Sequence, residues 1–183
     1  MIIEAILIGL LLVKILGGNF TNLMEFKIKG IKVLLIGVLL NIIIYLFSSV
    51  DFGFVTKLII DNYTVLHIFS LLFIIAGLIL NYDNAGIVTI VLGLSLNIIP
   101  IILNGKMPVS KEALIATGNS KVIEIITQGR SLSHGIFNSP KALFLSDIIA
   151  LKSPYSPKVI SVGDIVISVG LIITIVLISR RRT

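Results

Sequence analysis

Five long apolar runs, separated by polar links, constrain the fold of this chain more than any other feature. About 20 apolar residues carry a helix across a bilayer core of roughly 30 Å, and backbone groups in lipid must pair within their own segment, which favours helices. The runs cover about Ile2–Leu16, Ile31–Val50, Thr64–Leu80, Gly86–Leu103 and Val159–Ser179. They predict an all-α, polytopic transmembrane helical bundle with about five membrane-spanning helices, forming a single integral-membrane domain over residues 1–183.

The composition also indicates an integral-membrane protein. Only 13% of the residues are charged and 56% are hydrophobic, whereas soluble domains carry about 25% charged residues. The amino-terminal stretch has Glu4 where a signal peptide has basic residues, and no small-residue cleavage site follows it. We therefore expect this stretch to be retained as the first membrane helix.

The net charge of +6 indicates topology and lipid headgroups rather than nucleic acid, because no Lys/Arg cluster is interleaved with aromatic residues. We expect the lipid bilayer as a partner, other membrane proteins as further candidates, and no nucleic acid. Cysteine is absent, and the two histidines show no metal-ligand spacing. The sequence therefore predicts no metal site and no cofactor.

A polar segment over residues 104–158 precedes the last apolar run and predicts an extramembrane or interfacial helical insertion. Two short helices are predicted over 111–117 and 121–128, capped by Ser110 and Ser120 and ended by Gly118 and Gly129, and a third is predicted over 140–152. The third would begin at Ser139-Pro140, because proline suits the first turn of a helix.

The positions of Lys and Arg favour one orientation in the membrane. With the amino terminus outside, the first polar link and the carboxy-terminal tail lie on the cytoplasmic side, where positive charge is enriched. These two segments contain Lys27, Lys29, Lys32, Arg180, Arg181 and Arg182. We therefore expect a multi-pass protein of the cell membrane, with its amino terminus outside and its carboxy terminus cytoplasmic.

One aspartate, Asp164, lies just inside the last apolar run. Ser161-Val162-Gly163-Asp164 fits a capping box, in which serine and aspartate each accept a hydrogen bond from the other's backbone amide. A binding role, in addition to capping or instead of it, stays open, because the end of the fourth run lies on the same face. We predict a polar niche there, with candidates Asn104, Lys106, His134, Asp147, Ser161 and Asp164.

Four further residues of interest lie inside the apolar runs: Asn41, His67, Asn97 and Pro100. Asn41 and Asn97 share the pattern G-x-x-L-N-I-I, which suggests repeated hairpins formed by the first and second runs and by the third and fourth. Such repeats occur in transporters, although a single asparagine also links helices by hydrogen bonds. We expect His67 to be hydrogen-bonded or solvated, and Pro100 to kink its helix.

Several short motifs together resemble a known family. "NGKMPVS", "FLSDIIAL" and "SVGDIVISVG", with "LGGN", "LNY" and "GLSLNIIPIILNG", are similar to the bacterial integral-membrane family named domain of unknown function five-three-one-seven. The resemblance covers nearly the whole chain and implies a membrane fold without an assigned activity. Two positions depart from the family pattern: Lys106 stands at the second glycine of N-G-G-x-M-P-V, and Tyr82-Asp83 stands where basic residues are expected.

Three functions are compatible with these features. The leading hypothesis is a non-catalytic membrane component or binding module that uses the face formed by residues 104–164. A small transporter or channel-like protein would need a wet cavity lined by Asn41, Asn97 and Pro100. A membrane enzyme acting on a lipid headgroup would need convergence of Lys106, His134, Asp147 and Asp164. The absence of a phosphate loop and of G-x-S-x-G favours a protein that is not an enzyme.

Overall fold

The computed structural model describes residues 1–153 and 155–181, and helices make up most of this part of the chain. The α-helices within the described residues are α1 (Ile2–Ile15), α2 (Phe20–Glu25), α3 (Ile31–Ser49), α4 (Phe54–Asp61), α5 (Tyr63–Ile79), α6 (Ala85–Asn104), α7 (Lys111–Ala116), α8 (Ser120–Thr127) and α9 (Val162–Ser179). Arg182, from the predicted basic tail, lies outside the described residues. The prediction of a predominantly helical protein is confirmed.

Each of the five apolar runs forms one long helix, namely α1, α3, α5, α6 and α9. Local signals set their ends. Asn84 begins α6, because its side-chain oxygen accepts hydrogen bonds from two amides of the first turn, at 2.9 and 3.3 Å. The same helix ends at Gly105, whose φ of +79° favours glycine. α9 begins at Val162, directly after the predicted cap Ser161, and the start of the apolar run, Lys158–Ile160, forms a strand instead.

Three helices, α3, α6 and α9, are each long and apolar enough to cross a membrane. α4 and α5 meet the same criterion together, with a bend of 72° between them. α1 has 14 residues, or about 21 Å at 1.5 Å per residue, which is shorter than a hydrocarbon core of roughly 30 Å. Length and composition therefore support three to four crossings, and a fifth depends on α1.

The long helices pack in the spatial order α1, α9, α6, α5 and α3. α1 runs parallel to α9, since Gly9 lies against Ile175 and Gly18 against Ser179. α6 and α9, which share the largest helix contact, are antiparallel. The first helix therefore packs chiefly against the last one, although the two are far apart in sequence.

Small residues allow α6 and α9 to approach closely. A Cβ atom added to Gly93 would lie 2.7 Å from the carbonyl oxygen of Gly163 and 2.8 Å from the backbone nitrogen of Ile167. Gly86 on α6 and Gly170 on α9 meet in the same way, about two helical turns away. Close packing of this kind is typical of membrane helices, where lipid offers no hydrophobic drive for helix association.

α3 and α5 form a second antiparallel pair with the same kind of contact. Gly37 lies against the backbone of Ser70, and the Asn41 amide donates to the Ser70 hydroxyl at 3.0 Å. The glycine and asparagine of the shared motif, Gly93 and Asn97 in α6, face α9 in the corresponding way. The predicted pairing of the first run with the second is wrong, because α1 packs on α9; the similar hairpins are α3–α5 and α6–α9.

Two of the three helices predicted for the insertion are confirmed. The Ser110 hydroxyl caps α7 by accepting from the amide of Ala113 at 3.2 Å. α8 is capped by Asn119 rather than by Ser120, because the Asn119 side-chain oxygen accepts from the Val122 amide at 3.4 Å. Gly118 and Gly129 follow the two helices with positive φ angles, as the sequence predicted.

The helix predicted over 140–152 is wrong. Ala142 adopts a left-handed conformation with φ of 55°, and only a short 3-10 turn, Leu143–Leu145, follows it. β3 (Ile149–Leu151) then pairs antiparallel with β4 (Lys158–Ile160). The segment is apolar on all sides without one helical face, and a short apolar run of this kind also suits a buried strand.

A second small sheet brings two candidate residues to either side of one strand. β1 (Met107–Pro108) pairs in parallel with β2 (His134–Gly135). The next residue, Val109, forms a bridge with Asp147 on the opposite edge. His134 and Asp147 therefore lie near each other because the chain pairs on both sides of the M-P-V motif.

The ends of the long helices define two rims of the bundle. At the insertion rim, α6 ends and α5 and α9 begin; the Thr64 hydroxyl at the start of α5 donates to the Gly105 carbonyl after α6. At the opposite rim, Asp83 accepts from Arg181 at 3.1 Å and lies 3.6 Å from Lys29. The amino terminus and the insertion thus lie at one rim, and the end of α9 lies at the other.

Replacing Gly93 by alanine is expected to lower the free energy of unfolding by about 1–3 kcal/mol, because the added methyl group meets backbone atoms of α9. Val88→Ala is the matched control, since Val88 lies on the outer side of α6 with 45% of its surface exposed. SDS titration followed by circular dichroism measures both variants in micelles. Equal stability of the two would contradict close packing at Gly93.

Candidate functional site

A cavity of about 310 Å³ opens at the insertion rim, bordered by the start of α1, by α5, α6 and α9, and by the two small sheets. We call it the rim cavity. Its polar wall contains His67, Asn97, His134, Asp147, Lys158 and Asp164, and its apolar wall contains Leu71, Leu94, Ile101 and Ile167. Polar groups of the insertion and of the apolar helices therefore face one space.

Asp164 forms the predicted capping box at the start of α9. The Ser161 hydroxyl oxygen accepts from the Asp164 amide at 3.0 Å, and Oδ2 of Asp164 accepts from the Ser161 amide at 3.0 Å. This geometry satisfies two amides that the first helical turn leaves without partners. The capping interpretation of Asp164 is confirmed.

Asp164 also links α9 to α6. The Asn97 amide donates to Oδ1 of Asp164 at 3.0 Å, and the Ser161 hydroxyl donates to Oδ1 of Asn97 at 2.7 Å. Each Asp164 oxygen thus accepts one hydrogen bond from the protein, and a carboxylate oxygen has room for a second. The carboxylate is held in place while it remains available to a molecule in the rim cavity.

Asp147 reaches the rim cavity from the insertion. Its amide donates to the Pro108 carbonyl at 3.0 Å, and its carbonyl accepts from the Ser110 amide at 2.9 Å, which fixes its backbone beside β1. The side chain is only 7% exposed and lies 3.4 Å from Nε2 of His134. Burial raises the pKa of the Asp147 carboxyl, His134 partly opposes that shift, and the nearby Asp164 adds to it.

His134 contacts the buried Asp147 and is itself partly exposed to solvent. Its side chain is 40% exposed, and its Nδ1 lies 2.6 Å from the Ser133 hydroxyl. One ring nitrogen therefore faces Ser133 and the other faces Asp147. Sequence analysis missed Ser133, which also lines the rim cavity, because nothing in "SLSHGIF" distinguishes it from a loop serine.

His67 contributes a buried polar atom without a partner. Within the described residues, no hydrogen bond reaches Nδ1 of His67, although solvent does not reach it either. The ring stacks on Tyr63, with centroids 5.8 Å apart. The prediction of a hydrogen-bonded or solvated histidine is therefore wrong for this nitrogen.

The remaining candidates of the predicted niche have other positions. Asn104 ties the end of α6 to the insertion, since its amide donates to the Lys141 carbonyl at 2.9 Å and its oxygen accepts from the Lys141 amide at 2.9 Å. Lys106 donates to the Ser131 carbonyl. Both line an adjacent cavity of about 420 Å³, which His134 also borders. Ser161 is fully buried and is not among the residues that line the rim cavity.

Two of the intramembrane candidates do not line the rim cavity. Asn41 is engaged with Ser70 between α3 and α5. Pro100 is buried inside α6, where it removes one backbone donor, and its carbonyl accepts from the Asn104 amide at 2.8 Å. Of the four, His67 and Asn97 line the rim cavity. Among residues 1–153 and 155–181, His, Asp and Glu side chains form no group of three suited to a metal ion.

The model of one protein family, described as Family of unknown function (DUF5317), matches residues 25–176. The chain belongs to this family. The resemblance to this family is thereby confirmed over residues 25–176, whereas the "LGGN" motif lies outside the match, and DUF5317 brings no assigned activity with it. The match includes the whole insertion and every helix of the rim cavity except α1. No curated protein and no solved structure matches the chain.

The raised pKa of Asp147 predicts how stability changes with pH. Because the folded state binds the proton more tightly, the contribution of Asp147 is complete below its unfolded pKa of about 4 and is lost as the pH rises through the folded pKa. Relative to Asp147→Asn, the natural protein should therefore lose thermal stability as the pH rises from about 4. If the natural protein instead gains thermal stability relative to Asp147→Asn as the pH rises, pairing with His134 outweighs burial.

Proposed function

We propose that this DUF5317 member is a multi-pass protein of the cell membrane that binds an amphiphilic molecule in the rim cavity. The observation that carries the proposal is the meeting of buried polar groups and apolar side chains in one cavity at a helix rim. Asp147 is buried and Asp164 is partly buried at this cavity, and Leu94 and Ile167 form part of its apolar wall. The proposal makes the protein a binding module that uses residues 104–164.

The size and position of the rim cavity support an amphiphilic ligand. A volume of about 310 Å³ lies at the lower end of the range for small-molecule sites. Because the cavity lies where α6 ends and α9 begins, its polar wall is near the membrane surface and its apolar wall extends toward the bilayer. A molecule with a polar head and an aliphatic tail would satisfy both walls.

The threading that we propose has five crossings, formed by α1, α3, α5, α6 and α9. α1 packs along α9, and the opposed charges Glu4 and Lys14 lie in its first and last turns, so Lys14 can extend toward the headgroups. The rim that carries Lys29 and Arg181 would face the cytoplasm. The insertion and the amino terminus would then face outward, with the bilayer and other membrane proteins as partners.

Because the chain has no cysteine, single cysteines test this orientation. Gln128→Cys, at an exposed position of the insertion rim, is expected to react with an impermeant maleimide in intact cells. Tyr82→Cys, at a position 73% exposed on the opposite rim, is expected to react only after lysis. The reverse pattern would invert the proposed topology.

A larger side chain in the apolar wall should block binding. Leu94→Phe is expected to reduce retention of a palmitoyl-glycinamide probe with a photoreactive tail by at least about tenfold, since a loss of 1.4 kcal/mol has that effect. Leu92→Phe is the matched control, because Leu92 lies on the same helix with 55% of its surface exposed. Equal cross-linking of both variants would contradict binding in the rim cavity.

The transporter hypothesis is less well supported by the same geometry. It needs Asn41, Asn97 and Pro100 along one wet cavity, and Asn97 is the one of these that lines the rim cavity. Asn41 instead bonds to Ser70 at 3.0 Å, as expected for a structural link between helices.

A further inference from the structure

We propose that the amphiphile in the rim cavity is a zwitterionic lipid whose head carries a primary ammonium group and a phosphate. This inference rests on the amphiphile binding proposed above and names the chemistry of the bound head. The ammonium binds Asp147, and the phosphate binds Lys158. Both side chains line the rim cavity, and they come from different parts of the insertion, the segment after the 3-10 turn and the start of β4.

Opposite charges share the rim cavity without pairing with each other. Asp147, Asp164 and the half-buried Lys158 all line it. Nζ of Lys158, however, lies more than 4.0 Å from every carboxylate oxygen of the described residues. Charges withdrawn from water are stable when an opposite charge contacts them. A ligand with one charge of each sign supplies both contacts, whereas an anion would meet two carboxylates and a cation would meet a lysine.

The Asp147 carboxylate has room for a cationic donor. Its side chain is only 7% exposed, and Nε2 of His134 lies 3.4 Å from its Oδ2. Among residues 1–153 and 155–181, no other side chain or amide donates to this carboxylate. A carboxylate offers about four acceptor positions, and a primary ammonium has three N–H donors. The ammonium of the ligand therefore fills positions that the protein leaves open, beside the second negative charge of Asp164.

The lining of the rim cavity favours a primary ammonium over a quaternary one. A quaternary ammonium has no N–H to donate to a carboxylate, and proteins bind it against the faces of aromatic rings. None of the described residues that line the rim cavity is Trp, Tyr or Phe; the apolar wall consists of aliphatic side chains such as Leu71, Leu94 and Ile167. The cavity therefore distinguishes two lipid heads that differ in the methyl groups on nitrogen.

The order of side chains along α6 and α9 separates the head from the tail. Ile167 lies three residues further from the insertion rim than Asp164, and Leu94 lies three residues further from it than Asn97. Three residues span about 4.5 Å of helix. Aliphatic side chains thus line the cavity about one turn below the carboxylate of α9, where an acyl chain continues toward the middle of the bilayer.

Competition between lipids with the same acyl chain tests the inference. The full chain in dodecyl maltoside micelles is cross-linked with the palmitoyl-glycinamide probe in the presence of palmitoyl lysolipids with phosphoethanolamine, phosphocholine or phosphoglycerol heads. The phosphoethanolamine lipid should displace the probe at a concentration at least about tenfold below that of the other two, because one hydrogen bond to a charged group contributes a factor of this size. Free phosphoethanolamine, which lacks the tail, should not displace the probe in this range.

Two variants assign the two charges of the head. Asp147→Asn should remove the preference for phosphoethanolamine over phosphocholine. Lys158→Gln should weaken displacement by all three phosphate lipids but not by N-palmitoyl-ethylenediamine, which has the ammonium and no phosphate. Asp51→Asn and Lys57→Gln, which remove exposed charges between α3 and α5, are the matched controls and should change none of these values. The neutral probe needs neither charge, so its cross-linking shows that each variant is folded.

The outcomes separate the two proposals. Stronger displacement by the phosphoethanolamine lipid, lost in Asp147→Asn, supports the zwitterionic head. Equal displacement by the three lipids, a preference for another head, or a preference that survives in Asp147→Asn overturns the inference and leaves amphiphile binding intact. Free phosphoethanolamine that displaces the probe as well as its palmitoyl lipid does would assign the site to a water-soluble ligand and overturn the lipid. Cross-linking that does not depend on Leu94 overturns amphiphile binding and, with it, this inference.

Discussion

The hydrogen bonds among Asn97, Ser161 and Asp164 are the interaction on which the rest of the structure depends. Polar side chains in a bilayer are costly unless they satisfy one another, and these three do so between α6 and α9. The bonds fix how far one helix is shifted along the other. At that shift, Gly93 faces Gly163 and the two backbones come close enough to pack without side chains between them.

The same contact fixes the two ends of the insertion at one place. With the end of α6 and the start of α9 held together, the intervening residues form a closed loop whose short strands pair beside the helix ends. The M-P-V strand then has His134 on one side and Asp147 on the other. A buried aspartate thereby reaches a cavity that is partly walled by apolar helices.

The sequence predicted those features that local chemistry determines. Apolar runs located the long helices, and the Ser161-x-x-Asp164 spacing predicted a capping box that the structure confirms. The niche was predicted in part: His134, Asp147 and Asp164 converge, but Lys106 bonds elsewhere. Pairing between distant segments was not accessible in the same way. The pairing of β1 with β2 and the packing of α1 on α9 both join residues far apart in sequence.

The hairpins α3–α5 and α6–α9 carry an asparagine at corresponding positions of their first helices but give it different partners. In the first hairpin, Asn41 meets an uncharged serine, and the connection between its helices is a single short helix. In the second, the equivalent asparagine, Asn97, meets a carboxylate, and the insertion connects α6 to α9. Comparison with the first hairpin therefore identifies the carboxylate partner and the insertion as the features that distinguish the second hairpin.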